Sequence, residues 1–383
     1  MLRIIYKGVF PFLCFFLVGV ELRSQDVPDV LRVQIFSDQF SGGFDIRGTR
    51  FKVIVFKNIK TDTIFDNEIS VIGLGKSVAY KINEDWQHAD SLLIASKSVL
   101  DIKNLDGTTR RISGSLIFKY HKTHLLSIAL LSLDSYLIGV VDAELGRLDH
   151  PELWRAQAIL ARTWIYKNYN KFSKDGFPYG VTDDVRSQAF HGWPKNLNRL
   201  NRLLEAVRST SQTILADING NPIDALFHAN SGGQTMSCGW YFNPRSSLIS
   251  VLDTFSLKCP QTYWKKTVNK MKWLKYMSDS FGVSMQDADL NKFALSFKQP
   301  FRVQFVEFKG KKKRLRYFRE FFSLRSTWFS VENNGGDNIT LTGRGYGHGI
   351  GMSQEGGLRM ANFGYSADEI LTFYYPKSKP IKF

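Results

Sequence analysis

Residues 125–146 read LLSIALLSLDSYLIGVVDAELG, and the hydrophobic period changes in the middle of them. Up to Leu133 the run is apolar and strand-like. From Asp134 onward, Leu137, Val140, Val141 and Leu145 recur at three and four residues, which is the spacing of one helix face. Asp134 or Ser135 can cap the start, and Gly146 can stop the end. Glu144 falls on the same apolar stripe. An ionised carboxylate is costly to bury without a partner, so such a group is expected to stay protonated instead. A general acid is one reading of Glu144. The other is an ordinary ion-pair partner for the start of the next helix, marked by Asp149 and Pro151. Spacing alone leaves both open.

Outward from this stretch, a second helix is expected to about Lys171, with Leu153, Ala156, Leu160, Ala161, Trp164 and Ile165 as its buried stripe. On the other side, Leu31–Phe36, Phe51–Phe56, Ser70–Leu74, Ser91–Ser96 and Arg110–Phe118 read as short strands, with turns at Asp45–Gly48 and Asp106–Gly107. Beyond a Gly, Pro and Asp loop (Asp175–Asp184), a helix is expected at Leu197–Thr210 and strands at Thr213–Asp217 and Ile223–His228. Residues 264–333 form a basic α+β stretch, helix-like at Trp264–Phe281 and strand-like at Phe301–Phe308. The fold class is α+β, mixed strands and short helices with an N-terminal β-rich region. The expected division is a signal peptide at 1–24, the β-rich region at 25–114 and the remainder at 115–383, with 264–333 as a subdomain.

The chain has 383 residues, 51 basic against 35 acidic, with 43% hydrophobic and 14% aromatic content. That excludes collagen-like, low-complexity and wholly disordered chains. Arg3 and Lys7 precede the 13-residue apolar run GVFPFLCFFLVGV, which is short for a membrane span and suits an export signal. Export to the periplasm or cell envelope is expected, with membrane contact only through this segment if it stays uncleaved. Losing residues 1–24 removes three bases and one acid, leaving +14 of the formal +16. An exported chain of that charge is drawn to anionic surfaces such as wall polymers; export argues against nucleic acid as partner.

Two loops carry the polar side chains suited to chemistry. GRGYGHGIGMSQEGG (343–357) has no GK[ST] ending and no G-x-G-x-x-G spacing, so a nucleotide cradle is set aside. Its glycines allow close approach to a ligand or another loop, presenting His348, Ser353 and Gln354. FHANSGGQT (227–235) offers Ser231, but no nucleophile elbow surrounds it. His228, Cys238 and Cys259 form a candidate zinc set, against a Cys238–Cys259 disulfide or free thiols.

Together these segments resemble the SpoIID/LytB family of bacterial cell-wall proteins. Residues 136–145 (YLIGVVDAEL), 156–163 (AQAILART), the two loops above, and 370–376 (ILTFYYP) match its signatures in order. Leu145, Gly146 and Glu355 depart from its commonest pattern. The resemblance covers roughly residues 115–383 and implies a SpoIID-like core. It also implies a peptidoglycan lytic transglycosylase acting on peptide-stripped glycan strands, with Glu144 as its one catalytic acid and base. Gln188, Ser231, His348, Ser353, Gln354 and Tyr375 are then implied as sugar contacts. No cofactor is required, and a structural zinc at His228, Cys238 and Cys259 is compatible. The alternative it implies is a non-catalytic wall-binding protein that stimulates an N-acetylmuramoyl-L-alanine amidase, which would then be a partner.

Overall fold

The computed structural model describes residues 27–38, 41–58, 60–238 and 248–382. The expected export segment at 1–24 lies outside them.

Alternation of buried and exposed side chains builds the N-terminal half. In Val99–Asn104 (VLDIKN), Leu100, Ile102 and Asn104 point inward, and in Ser91–Ala95 (SLLIA) Leu92 and Ile94 do. Ten strands follow one another: β1 (Leu31–Ile35), β2 (Gly43–Lys57), β3 (Lys60–Leu74), β4 (Ser77–Ile82), β5 (Asp85–Ala89), β6 (Ser91–Ala95), β7 (Val99–Asn104), β8 (Thr109–Ser113), β9 (Ser115–His121) and β10 (His124–Leu131). With β11 (Val181–Thr182) they form an eleven-stranded sheet, whose main path runs β11-β1-β10-β9-β6-β2-β3-β4-β5. Asp45–Gly48 is not a turn. It lies inside β2, where the register with β3 shifts between Arg47 and Phe51 as at a bulge. The sheet also runs across the expected division at 114/115, because β10 pairs with β1 from Leu31↔Leu131 to Ile35↔Ser127.

Next come α1 (Leu133–Leu145), which packs on β10, and α2 (Pro151–Asn168) and α3 (Leu197–Ser209), which pack on α1 and on each other. The cap of α1 is Ser132, accepting from the Ser135 N–H, because β10 ends at Leu131 and leaves one residue for the change of direction. Gly146 ends the helix at φ 53°, as a C-terminal glycine should. Arg162 is buried in α2 and donates to the carbonyls of Val207 and Thr213, tying α2 to the end of α3 and to β12 (Thr213–Asp217).

The second hydrophobic cluster belongs to residues 263–344. It holds β14 (Tyr263–Asn269), α4 (Lys270–Phe281), α5 (Ala288–Leu295), β15 (Phe305–Phe308), β16 (Lys311–Arg314), α6 (Leu315–Phe321), β17 (Phe329–Glu332) and β18 (Asn338–Arg344). Trp264–Asn269 is therefore strand, where a helix is expected from sequence. Trp264 and Val268 are both buried, and a separation of four fits either period. Asn269 caps α4 through the Lys272 N–H. Elements β13 (Phe227–His228), β19 (Met352–Ser353), α7 (Gln354–Asn362), α8 (Ala367–Tyr374) and β20 (Ser378–Lys382) complete the core.

Candidate functional site

Glu144 sits in the last turn of α1, between buried Val141 and Leu145, and is itself partly exposed. Its Oε1 accepts the Ala189 N–H at 2.7 Å. Burial raises its pKa above the ordinary glutamate value, and the Ala189 hydrogen bond opposes that rise only in part. Among the described residues, no ion pair involves Glu144. The neighbouring carboxylate, Asp142, is neutralised by Arg199, which also donates to the Gly146 carbonyl at 2.7 Å. Nor does Glu144 serve the next helix. The α2 terminus is capped by His150 Nδ1, and Glu152 binds Arg155 and the Ala367 N–H.

Residues 183–193 hold Ala189 in place. Phe190 stacks on Tyr136 with ring centroids 5.7 Å apart, above Gly139 of α1. Gln188 is buried, and its Oε1 accepts from the Tyr136 hydroxyl at 3.2 Å. Burial and the nearby Glu144 charge push Tyr136 upward, so it stays a phenol. Among the described residues, the buried Gln188 Nε2 has no hydrogen-bond partner. At the start of the loop, buried Asp183 binds the N–H groups of Phe36 and Ser37 and pairs with Arg110, which donates to the Phe190 carbonyl at 3.0 Å. The N-terminal sheet thus positions the loop that holds Glu144. From the other side, Gln354 Nε2 donates to the Glu144 carbonyl at 3.2 Å. Glu144, Gln188 and Gln354 are brought together.

The two glycine loops pack on each other. β13 and β19 pair in parallel, with further bridges Asn230↔Tyr346 and Met236↔Ile350. A Cβ on Gly351 (φ +70°) would lie 1.9 Å from the Leu226 carbonyl oxygen, so close approach is what that glycine provides. Three expected sugar contacts are turned inward by this packing. Ser231 is fully buried, donating to Asp253 at 2.7 Å and lying 2.6 Å from the Ser256 hydroxyl, with no imidazole to activate it. Ser353 caps α7 through the Gly356 N–H. Tyr375 donates to the Leu226 carbonyl and accepts from the Met352 N–H. Buried backbone at a loop crossing must be paired, and these side chains pair it. Glu355 joins them, accepting from Asn230 Nδ2 and the Gln261 N–H.

His348 accepts the Ile350 N–H on Nδ1 at 3.0 Å, and burial followed by the Arg319 charge lowers its pKa to about 4. It is neutral near neutral pH. The His228 ring lies 5.6 Å away between centroids; its Nδ1 faces the Ile350 carbonyl at 3.1 Å, and among the described residues its Nε2 has no partner. Among the described residues, no three His, Cys, Asp or Glu side chains gather as a metal site, and Cys238 and Cys259 are free thiols. His228, Cys238 and Cys259 are therefore not assembled as a zinc set, nor the cysteines as a disulfide. Ala189, Asp183 and Arg110 are the site residues that sequence reading missed.

Residues 121–216, which include Glu144 and the Ala189 loop, match the SpoIID family model, described as stage II sporulation protein. Over 270 residues the chain is 32% identical to stage II sporulation protein D of Bacillus subtilis, covering 67% of this chain and 76% of that protein. The chain belongs to the SpoIID family. An uncharacterized protein of Brachyspira hyodysenteriae is 24% identical over 358 residues, 91% of each chain, so its likeness to this SpoIID-family chain extends into the N-terminal sheet. The amidase enhancer of Bacillus subtilis is 24% identical over 293 residues, 63% of this chain and 39% of that protein.

Proposed function

We propose that this SpoIID-family chain works on the bacterial cell wall as a peptidoglycan lytic transglycosylase. Its substrate is glycan from which stem peptides have been removed. The observation that carries the reading is Glu144, a partly exposed carboxyl whose burial raises its pKa and which accepts a hydrogen bond from a backbone N–H. A protonated Glu144 gives its proton to the glycosidic oxygen as the bond from muramic C1 breaks, and the bonding pair stays on that oxygen. The muramic C6 hydroxyl then attacks C1 and passes its proton to the Glu144 carboxylate. The product is a 1,6-anhydro end, no water is consumed, and the acid is restored. A second carboxylate is not required, unlike in most glycoside hydrolases. Asp142, held by Arg199, is not available for that role in any case. In this reading Gln188, Gln354 and His348 are the candidates for contacts to sugar hydroxyls. Export to the cell envelope belongs to this reading.

A second reading has one observation in its favour, the likeness to a protein named as an amidase enhancer. In that case the chain binds wall glycan and stimulates a partner amidase without cutting. Mass spectrometry of peptide-stripped strands after incubation with the protein separates the two. Anhydro-muramic ends that vanish with Glu144→Gln are expected. Strands bound but uncut by the unaltered protein would put the enhancer role first.

A further inference from the structure

Strand β2 carries two clefts in succession on the outer face of the eleven-stranded sheet. Phe44, Ile46, Phe51 and Val53 are buried along it, and Asp45, Arg47, Arg50 and Lys52 are exposed. The first cleft, of about 530 Å³, is walled by Asp45, Arg47, Asp101, Lys103, Arg111 and Lys195. The second, of about 600 Å³, lies where β2 leaves β7 at Gly48↔Leu100 and takes up β6 at Lys52↔Ala95. Its wall holds Arg50, Lys52, Lys97 and Phe65, with Thr49 and Ser115 beside them. The acids of the first cleft are engaged: Asp45 accepts from the Ser70 hydroxyl at 2.6 Å, and Asp101 lies 3.6 Å from Arg111. No acid lines the second. Among the described residues, no ion pair involves Arg50, Lys52, Lys97, Lys103 or Lys195, and all five are exposed. Like charges gathered on neighbouring strands repel unless an anion lies among them. Phe65 is 56% exposed, with the Arg50 guanidinium 5.2 Å from its ring centre. The first cleft also meets the loop that holds Glu144. Two residues before Lys195, the Trp193 N–H donates to the Arg111 carbonyl at 2.8 Å and its indole to the Ser135 carbonyl of α1 at 3.2 Å.

We propose that this face of the N-terminal sheet is a binding track for an acidic glycan strand, separate from the place where Glu144 acts. The inference rests on the glycan reading above and names a second surface that holds the strand. From Asp45 to Lys52 the backbone covers roughly 23 Å, at about 3.3 Å per residue, which is too long for one small ion and suits a polymer. A glycan freed of its stem peptides bears a carboxylate on each muramic residue, so its charge repeats along the strand. Five exposed, unpaired cations answer those charges. Thr49 and Ser115 can bond sugar hydroxyls, and Phe65 offers an apolar ring to the face of a sugar. The sheet then does more than carry the Ala189 loop: it holds the length of strand that runs on from it.

The test is equilibrium binding of long peptide-stripped strands to the Glu144→Gln protein, alone and with Arg50→Gln, Lys52→Gln and Lys97→Gln added. The triple substitution is expected to weaken binding about tenfold or more, the sum of several modest exposed contacts, and the loss should shrink as salt is added. Lys265→Gln, Lys292→Gln and Lys298→Gln remove the same charge from exposed positions elsewhere and should change binding by about twofold or less. Strands whose carboxyls have been reduced to alcohols should bind the protein with and without the track substitutions alike. If the triple variant does not fold, Lys103→Gln with Lys195→Gln carries the test from the first cleft, with a loss of about threefold or more. Undiminished binding by the track variants, or an equal loss in the control, overturns the track. So does binding of anionic phospholipid vesicles that depends on the same three cations when strand binding does not. Cleavage by the protein with Glu144 intact is read separately: track-dependent binding without cleavage sinks the transglycosylase and leaves the track standing.

Discussion

Glu144 Oε1 accepts the Ala189 N–H at 2.7 Å across 45 residues of sequence, so the acid at the end of α1 is aimed by a backbone group of a distant loop. The consequence is visible in pH. Burial raises the folded-state pKa of Glu144 above its ordinary value of 4.5. The folded protein then has its full stability only while this carboxyl is protonated, and loses some as pH rises through the raised value. Glu144→Gln keeps an oxygen for Ala189 and never ionises. Its melting temperature should match the unaltered protein below pH 4.5 and exceed it increasingly toward neutral pH. If Glu144 is the acid proposed above, cleavage should fall on the alkaline side through the same raised value, because that first step needs the acid form. Calorimetry of both proteins across pH checks the first, and product yield the second. A gap that closes with rising pH would mean that burial does not set this carboxyl's ionisation.

Arg110 and Asp183 carry the Ala189 loop on the N-terminal sheet. Both are almost fully buried, at 8% and 3% exposure. Arg110→Met leaves Asp183 with an uncompensated charge, for which the expected loss is about 3–5 kcal/mol in urea unfolding. Arg110→Met with Asp183→Asn removes both charges and should recover part of it. Where either variant folds, cleavage should be lower than in the unaltered protein because Ala189 is no longer fixed. A double variant as unstable as the single one would show that packing, not charge, dominates here.

Gly139→Ala tests the other support. An alanine in a helix interior ordinarily stabilises by up to about 1 kcal/mol over glycine. Here its Cβ would stand 2.4 Å from the Phe190 ring and 3.0 Å from the Gly192 carbonyl oxygen. Phe190 is held between Tyr136 and the loop, so the sign should reverse to a loss of about 1–3 kcal/mol. If Glu144 is the proposed acid, the displaced loop should also lower cleavage about tenfold or more, since small misplacements of a reacting group are amplified. A stabilised, fully active Gly139→Ala protein would refute the proposed role of the Phe190 contact.

How much of this was legible follows from which groups carry a side-chain signature. Glu144 stood out because a carboxylate on the stripe of Leu137 and Val141 is rare, and Gly146 marked the stop. The Ala189 N–H could not be read, since any residue supplies one. Arg110 could have been, because it alternates in phase with inward Ile112 on β8. A charge at an inward position asks for a buried partner, and the only sequence hint of that partner was the Asp183-Asp184 pair in a loop. The burial of Ser231, Ser353 and Tyr375 was not legible, for a physical reason. A polar residue in a glycine-rich loop looks the same whether the loop meets a ligand or another loop, and here it meets another loop.

Ser231 gives the sharpest separation between a structural and a chemical serine. Its hydroxyl donates to Asp253, a carboxyl that is fully buried and whose pKa is raised by that burial. Ser231→Ala leaves Asp253 short of one donor, although Ser256 N–H still serves it. Stability should fall by about 1–3 kcal/mol, the cost of an unsatisfied buried acceptor. Cleavage per folded molecule should be within about twofold of the unaltered protein, because no bond forms to this oxygen. Urea unfolding followed by product analysis on the folded fraction checks both. Loss of cleavage by about 10²-fold or more at unchanged stability would reinstate Ser231 as a reacting group.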